Sequence, residues 1–302
     1  MASKVLVPLD GSDLAEQALP CAVMLARGLP AELVLLRAVS LPPDVREFLD
    51  NAALKSGERL EQLQAEAGEY LRQVARRLEQ DGLRVHRVIL DRPAAEAIVD
   101  YAGQVDIQQI VMATHGYTGI SRWVHGSVAE RVLQSASVPV LLVRAQEKKP
   151  DAAAHVPLCQ RILVPLDSSS VAEQVLPPVI SIAQALAAGV TLFQVPIVFA
   201  TGSLIGEWYL PLQGIFETAH QEAQTYLDGV ADDLRAQGLE VSTALDTGGV
   251  ADAIVNFAEA NQVDLIAMCT HGRTGLARWT LGSVADRVLR AGRVPLLLVR
   301  AR

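Results

Sequence analysis

The feature that most restricts the fold of this chain is an internal repeat half its length. Lys4-Val5-Leu6-Val7-Pro8-Leu9-Asp10 returns as Arg161-Ile162-Leu163-Val164-Pro165-Leu166-Asp167, and Ala15-Glu16-Gln17 returns as Ala172-Glu173-Gln174. Met112-Ala113-Thr114-His115-Gly116 returns as Met268-Cys269-Thr270-His271-Gly272, and Gly126-Ser127-Val128-Ala129 as Gly282-Ser283-Val284-Ala285. The closing run Val138-Pro139-Val140-Leu141-Leu142-Val143-Arg144 matches Val294-Pro295-Leu296-Leu297-Leu298-Val299-Arg300. Lys4 and Arg161 stand 157 positions apart, Gly116 and Gly272 156. Solenoid repeats have periods of roughly 20–50 residues, so a unit this long is a duplicated domain. The sequence predicts domains at 1–145 and 158–302, joined by a linker at 146–157 rich in Lys, Ala and Pro.

Within each copy, short apolar runs alternate with helical patterns. In the first, strands are expected at Val5–Leu9, Leu33–Val39, Arg84–Leu90, Ile110–Ala113 and Val140–Val143. Between them fall a helix from Ser12 to about Arg27, a long charged amphipathic helix over Gly57–Gln80, one opened by Pro93, and one over Ser127–Ser135. Strands alternating with helices form parallel βαβ units, hence an α/β, doubly wound sheet with helices on both faces.

Composition narrows the function. There are 26 Lys and Arg against 34 Asp and Glu, a formal charge of −8. Affinity for nucleic acid comes largely from cations that neutralise phosphates, so nucleic acid is not an expected partner. Cys21, Cys159 and Cys269 form no CxxC pair, zinc spacing or even disulfide set, which fits a reducing compartment. The start of the chain does not read as a signal peptide, and no apolar run approaches the ~18 residues of a membrane span. The sequence therefore predicts a cytoplasmic protein with no membrane partner.

In open parallel sheets, ligands bind at the carboxyl ends of the strands, where the winding reverses. Asp10 ends the first strand and His115-Gly116-Tyr117-Thr118-Gly119 follows the fourth. If those strands are neighbours, both open into one crevice, and Asp167 is placed beside His271-Gly272-Arg273-Thr274-Gly275 in the same way. Gly126-Ser127 then opens a helix, whose free amides and positive dipole end suit a phosphate. A purely structural account of the same residues stands beside this one. Ser127-Val128-Ala129-Glu130 reads as a capping box, Ser283-Val284-Ala285-Asp286 as a weaker one, and Asp10 as a cap or turn residue. Neither GxxxxGK[ST] nor GxGxxG occurs. His115 and His271 have no ligand-spaced partners and are expected to be structural, with no metal site. Trp123 and Trp279 read as loop anchors, Arg122 and Arg278 as solvated cations, Trp208-Tyr209 as local packing, and Cys269 as a buried thiol.

Taken together, V-P-L-D, T-H-G-x-x-G, G-S-V-A and V-P-x-L-L-V resemble the universal stress protein family over nearly the whole of both halves. The resemblance implies a five-stranded parallel sheet in the order 3-2-1-4-5 in each half. It also implies an ATP site of one family branch, built from G-x2-G-x9-G-[ST], an aspartate after strand one and a small apolar residue on strand two. Carried over by position, the first half offers Asp10, Ala38, Met112, Ala113, Gly116, Gly126, Ser127 and Val128. The second offers Asp167, Val195, Met268, Cys269, Gly272, Gly282, Ser283 and Val284. The nine-residue gap is intact in both, but the first glycine of the motif is Ala113 in one half and Cys269 in the other. Arg273 replaces Tyr117, Asp264 corresponds to Gln108, and Asp91-Arg92-Pro93 and Thr247-Gly248-Gly249 stand where the family often has Gly-x-Pro. The family pairs fifth strands across a dimer, which implies an intramolecular pseudo-dimer here and is compatible with a further homodimer. The expected function is an ATP-binding stress-response regulator, with Mg²⁺ an optional companion of the nucleotide. No general base for a dedicated enzyme stands out, so any ATP hydrolysis should be slow and incidental. The alternative is a nucleotide-free interaction scaffold.

Overall fold

The computed structural model describes residues 3–41, 43–51, 56–115, 127–145, 158–196, 212–270 and 281–301. The chain divides into two units, residues 1–158 and 159–302.

In the first unit β1 (Lys4–Pro8), β2 (Glu32–Ala38), β3 (Val85–Leu90), β4 (Ile107–His115) and β5 (Val140–Ala145) form a parallel sheet in the order β3-β2-β1-β4-β5. Leu6 lies between Val34 and Ile110 in register. Val5, Leu6 and Val7 are fully buried, as are Leu33 and Leu35. Central strands of a doubly wound sheet are covered on both faces, which is why they read as continuous apolar runs rather than alternating ones. The helices are α1 (Asp13–Glu16), α2 (Leu19–Gly28), α3 (Pro43–Asn51), α4 (Ser56–Gln80), α5 (Ala94–Gln104) and α6 (Ser127–Ser135). In α4, Ala67, Leu71, Val74, Ala75 and Leu78 form the buried stripe, at the three- and four-residue spacing of one helical face.

The second unit repeats the plan. Its strands are β6 (Arg161–Pro165), β7 (Gly189–Gln194), β8 (Val241–Leu245), β9 (Leu265–Cys269) and β10 (Leu296–Val299), in the order β8-β7-β6-β9-β10 and parallel throughout. Its helices are α7 (Leu176–Leu186), α8 (Leu212–Arg235), α9 (Val250–Ala260) and α10 (Ser283–Ala291), with a 3₁₀ turn at Ala172–Val175. Phe193, fully buried, packs its ring 4.9 Å from that of Phe257.

The strand order in both units is the one the resemblance implies. Three local expectations differ. The single helix expected over Ser12–Arg27 is broken between Glu16 and Leu19. Pro20 is the reason: it lacks an N–H and its ring would strike the carbonyl four residues back, so it is tolerated only in the first turn of a new helix. The second unit makes the same break, with Pro177 and Pro178 opening α7. The fourth strand extends two or three residues beyond Ile110–Ala113 at each end. In α10, Gly282 rather than Ser283 is the N-cap, extended at φ −59 and ψ 148, and no side chain caps the helix. Ser283 is thus the first helical residue, and the capping box expected there does not form.

Candidate functional site

Because β1 lies between β2 and β4, and β6 between β7 and β9, the carboxyl ends of three neighbouring strands meet at one end of each sheet. Asp10, Ala38 and Ala113 come together there in the first unit, and Asp167, Val195 and Cys269 in the second. The winding reverses at this point, so each crevice lies at the sheet's topological switch.

Both aspartates organise the turn that follows. Asp10 Oδ1 accepts the Ser12 amide at 2.8 Å, and Ser12 Oγ accepts the Ala15 amide at 3.1 Å, capping α1. Asp167 Oδ1 accepts the Ser169 amide at 3.1 Å and the Ser169 hydroxyl at 2.5 Å, while Ser169 Oγ accepts the Ala172 amide at 3.1 Å. In the first unit the serine is the helix cap, in the second it holds the Ala172 amide at the start of the 3₁₀ turn, and each aspartate supports it from two residues upstream.

The fourth strands deliver the motif differently. Met112 and Met268 are buried beneath the site. Ala113 is half-buried and ends at its Cβ. Cys269 is buried, and its thiol donates to the Ala172 carbonyl at 3.5 Å. Burial pushes that thiol up to about 12, with the nearby Asp167 carboxylate adding to the rise and the Val175 backbone opposing it. A thiolate is the reactive form, so Cys269 is chemically quiet. Ala38, the last residue of β2, is half-buried, and Val195, just past β7, is buried.

In the second unit the connection after β9 returns to its start. The Gly282 amide donates to the Thr270 carbonyl at 2.8 Å, and the Asp286 amide then closes the first helical turn onto the Gly282 carbonyl at 2.9 Å. This places the amino end of α10 over the carboxyl end of β9. The amides of Ser283, Val284 and Ala285 are the first-turn donors for which a helix has no acceptor of its own; Ser283 is exposed and Val284 half-buried. In the first unit Ser127 begins α6, with Val128 half-buried in its first turn. Gly116, Gly126 and Gly272 lie outside the described residues, as do Tyr117, Arg122, Trp123, Trp208, Tyr209, His271, Arg273, Arg278 and Trp279.

A polar cluster beside the first site was not anticipated from sequence. The Arg37 guanidinium lies against Gly11, where a Cβ would come within 2.9 Å of it, and also over the Tyr70 ring, 5.2 Å from its centre. Burial, followed by the Glu16 and Asp10 carboxylates, raises the Tyr70 phenol above its ordinary range, with Arg37 opposing. In the second unit Tyr226 donates to Glu173 at 2.8 Å. Recurrence of both members of the Glu–Tyr pair in the repeat is the signal that could have found it. Asp264 also has a structural explanation: its Oδ2 accepts the Gln160 and Arg161 amides at 2.8 and 3.0 Å, fixing the start of β6. No group of three or more His, Cys, Asp or Glu side chains suited to a metal ion occurs among the described residues. No described helix is long and apolar enough to cross a membrane.

A parallel sheet wound 3-2-1-4-5, with a turn-forming aspartate after strand one and a helix returned to the end of strand four, defines a class of doubly wound α/β proteins with a switch-point crevice. The profile of the universal stress protein family matches residues 1–144 and again 159–300, and the chain belongs to that family. It is 36% identical over 147 residues to universal stress protein MJ0531 of Methanocaldococcus jannaschii, a match covering 48% of this chain and 84% of that one. Universal stress protein Slr1230 of Synechocystis is 24% identical over 314 residues, covering 98% of this chain and 99% of the relative. Among solved structures, a universal stress protein from Archaeoglobus fulgidus superposes with a TM-score of 0.67 at 21% identity, covering 99% of this chain and 96% of that one.

Proposed function

We propose that this tandem universal stress protein is a nucleotide-responsive regulator that takes ATP in its switch-point crevices. The observation that carries the reading is the 2.8 Å bond from the Gly282 amide to the Thr270 carbonyl. It holds a helix amino end, with unspent amides and a positive dipole, at the strand ends where Asp167 also emerges. An anion at such an end gains hydrogen bonds and a favourable field together.

The groups present fit a nucleotide unevenly. At the far side of each crevice Asp10 or Asp167 supplies carboxylate oxygens for ribose or base donors, and Ala38 leaves more room than Val195. Ala113 adds only a methyl group where the family motif has its first glycine. Cys269 adds a thiol, but one turned onto the Ala172 carbonyl. These contrasts favour the first unit as the roomier site. Bound ATP would supply a triphosphate as the signal; the protein's part is to orient it and to register its presence. A Mg²⁺ ion would arrive with the phosphates rather than in a protein cage, consistent with the way that ion is usually bound.

Full-length protein purified without added nucleotide should release ATP or ADP on denaturation, and the emptied protein should show saturable heat with MgATP in calorimetry. Asp10→Ala should weaken the tighter site by about tenfold, or about 1.4 kcal/mol. Absence of both released nucleotide and heat would overturn the proposal and leave the scaffold reading in its place.

A further inference from the structure

The edge strands β3 and β8 are the same element written twice, and they are finished differently. The amides of Leu33 and Val39 in and beside β2 take the carbonyls of Arg84 and Leu90. Backbone direction alternates along a strand, so the N–H and C=O groups of Val85, Arg87 and Ile89 point away from the sheet. Among the described strands β3 pairs only with β2. The side chains of these same residues, with Gly68, Leu71 and Arg72 of α4, line a cleft of about 370 Å³. Gly68 keeps it open: a Cβ there would meet only the Ile89 side chain, at an ordinary 3.5 Å. Arg72 pairs with Glu69 one turn back, and Arg84 and His86 share Glu32. Arg87 is exposed and enters no ion pair among the described residues.

In the second unit the cleft is filled and one outward carbonyl is taken. Gln224 stands where Gly68 does, and its amide donates to Asp228 at 2.9 Å and to Thr243 at 3.1 Å. Asp228 and Thr243 occupy the positions of Arg72 and Arg87. The outward carbonyl of Val241 is taken by the Arg235 guanidinium at 2.8 and 3.3 Å; the corresponding residue in the first unit is Glu79, which cannot donate.

We propose that the β3 edge is a docking site for an extended, acidic segment of a partner protein. The segment adds one strand to the sheet, hydrogen-bonds to Val85, Arg87 and Ile89, and sends a carboxylate into the cleft between Arg87 and Arg72. Strand addition draws affinity from main-chain bonds and specificity from alternate side chains. Charge selects the partner: the edge of a second copy would set Arg84, His86 and Arg87 against their own kind, which is unfavourable. Basic residues on an edge also discourage indiscriminate pairing. That role alone accounts neither for a cleft left open at a glycine nor for its filled twin.

The probe is a fluorescent peptide of about seven residues, a typical strand length, alternating threonine with valine, glutamate and valine. It is titrated into the full-length chain by anisotropy, with amide exchange followed at Val85, Arg87 and Ile89. Saturable binding with slowed exchange at those amides is expected. Affinity should fall at least about tenfold when lysine replaces the glutamate, in Arg87→Glu, and in Gly68→Gln. The last change adds helix propensity and its Cβ meets only the Ile89 side chain at an ordinary distance, so the fold is kept. Equal affinity for the lysine peptide, undiminished binding by Gly68→Gln, or exchange unaltered at the three amides would overturn the proposal. Self-association in sedimentation that is abolished by Arg87→Glu would instead assign the edge to a second copy.

Discussion

The turn after the first strand is built twice on one backbone with different side chains. In the first unit the left-handed position is Gly11 at φ 88, and Arg37 on the neighbouring strand fills the space that a Cβ would need. In the second it is Ser168, at φ 62, and the facing residue is the shorter Gln194, whose Nε2 reaches the serine hydroxyl at 3.0 Å. A non-glycine residue in this region costs about 1–2 kcal/mol, and the hydrogen bond to a buried amide offsets part of it. The lesson is that the turn residue and its facing residue are chosen together. The choice also leaves a guanidinium against the first turn and a neutral amide against the second.

The largest expected effect appears in alkali, and different groups cause it in the two halves. Cys269 is held protonated to about 12 and Cys21 to about 11, both by burial, against 9.0 for a free thiol. Above pH 9 the unfolded chain releases these protons while the folded units retain them. Stability is therefore fully present below pH 9 and lost as pH rises, toward about 11 for Cys21 and about 12 for Cys269. Each thiol contributes a slope approaching about 1.4 kcal/mol per pH unit. Because the buried Tyr70 phenol of the first unit is held up as well, urea midpoints followed from pH 8 to 12 should fall in both units, and Cys269→Ala should remove the cysteine's share of the loss in the second. A flat profile would contradict the buried geometry.

Exchanging the turn solutions comes next. Gly11→Ser should destabilise the first unit by about 2–4 kcal/mol, since it adds positive-φ strain and crowds Arg37. Adding Arg37→Gln should recover part of this, and a double-mutant cycle in urea unfolding would measure the coupling. Independent, additive effects would show that the two positions are not a pair. A smaller effect, within about 1 kcal/mol of wild type, is expected for Ser168→Gly. It relieves strain but strands the amide of Gln194, so opposing terms nearly cancel. The least is expected at the surface. Arg77 pairs with Glu16 at 2.8 Å, whereas Asp233 stands in the matching place of the second unit. Arg77→Ala should cost less than about 1 kcal/mol, since exposed pairs are weak, and thermal melting would check it.

The architecture was legible because it rests on periodicity: buried strands such as Val5–Val7 leave a signature that the repeat confirms. The position of Asp10 at a switch point was legible for the same reason. What escaped was set by contacts distant in sequence. Arg37 gives no local sign that it fits against a missing Cβ twenty-six positions earlier. Gly68 reads as an ordinary weak spot in a long helix until Gln224 is seen filling the same space in the other half. The break at Pro20 was available locally, but the apolar pattern on either side of it runs on without interruption.

Thr270 has a reach that its size does not suggest. Its amide donates to Val299 at the end of β10, its carbonyl receives Gly282 at the head of α10, and its hydroxyl oxygen accepts from the Ala301 amide at 3.4 Å. One small buried residue is thus the knot between a strand, a helix and Ala301. Tilting α10 would load the Gly282–Thr270 bond, and the same residue carries the bond to Ala301, so the head of α10 and the end of β10 share one anchor.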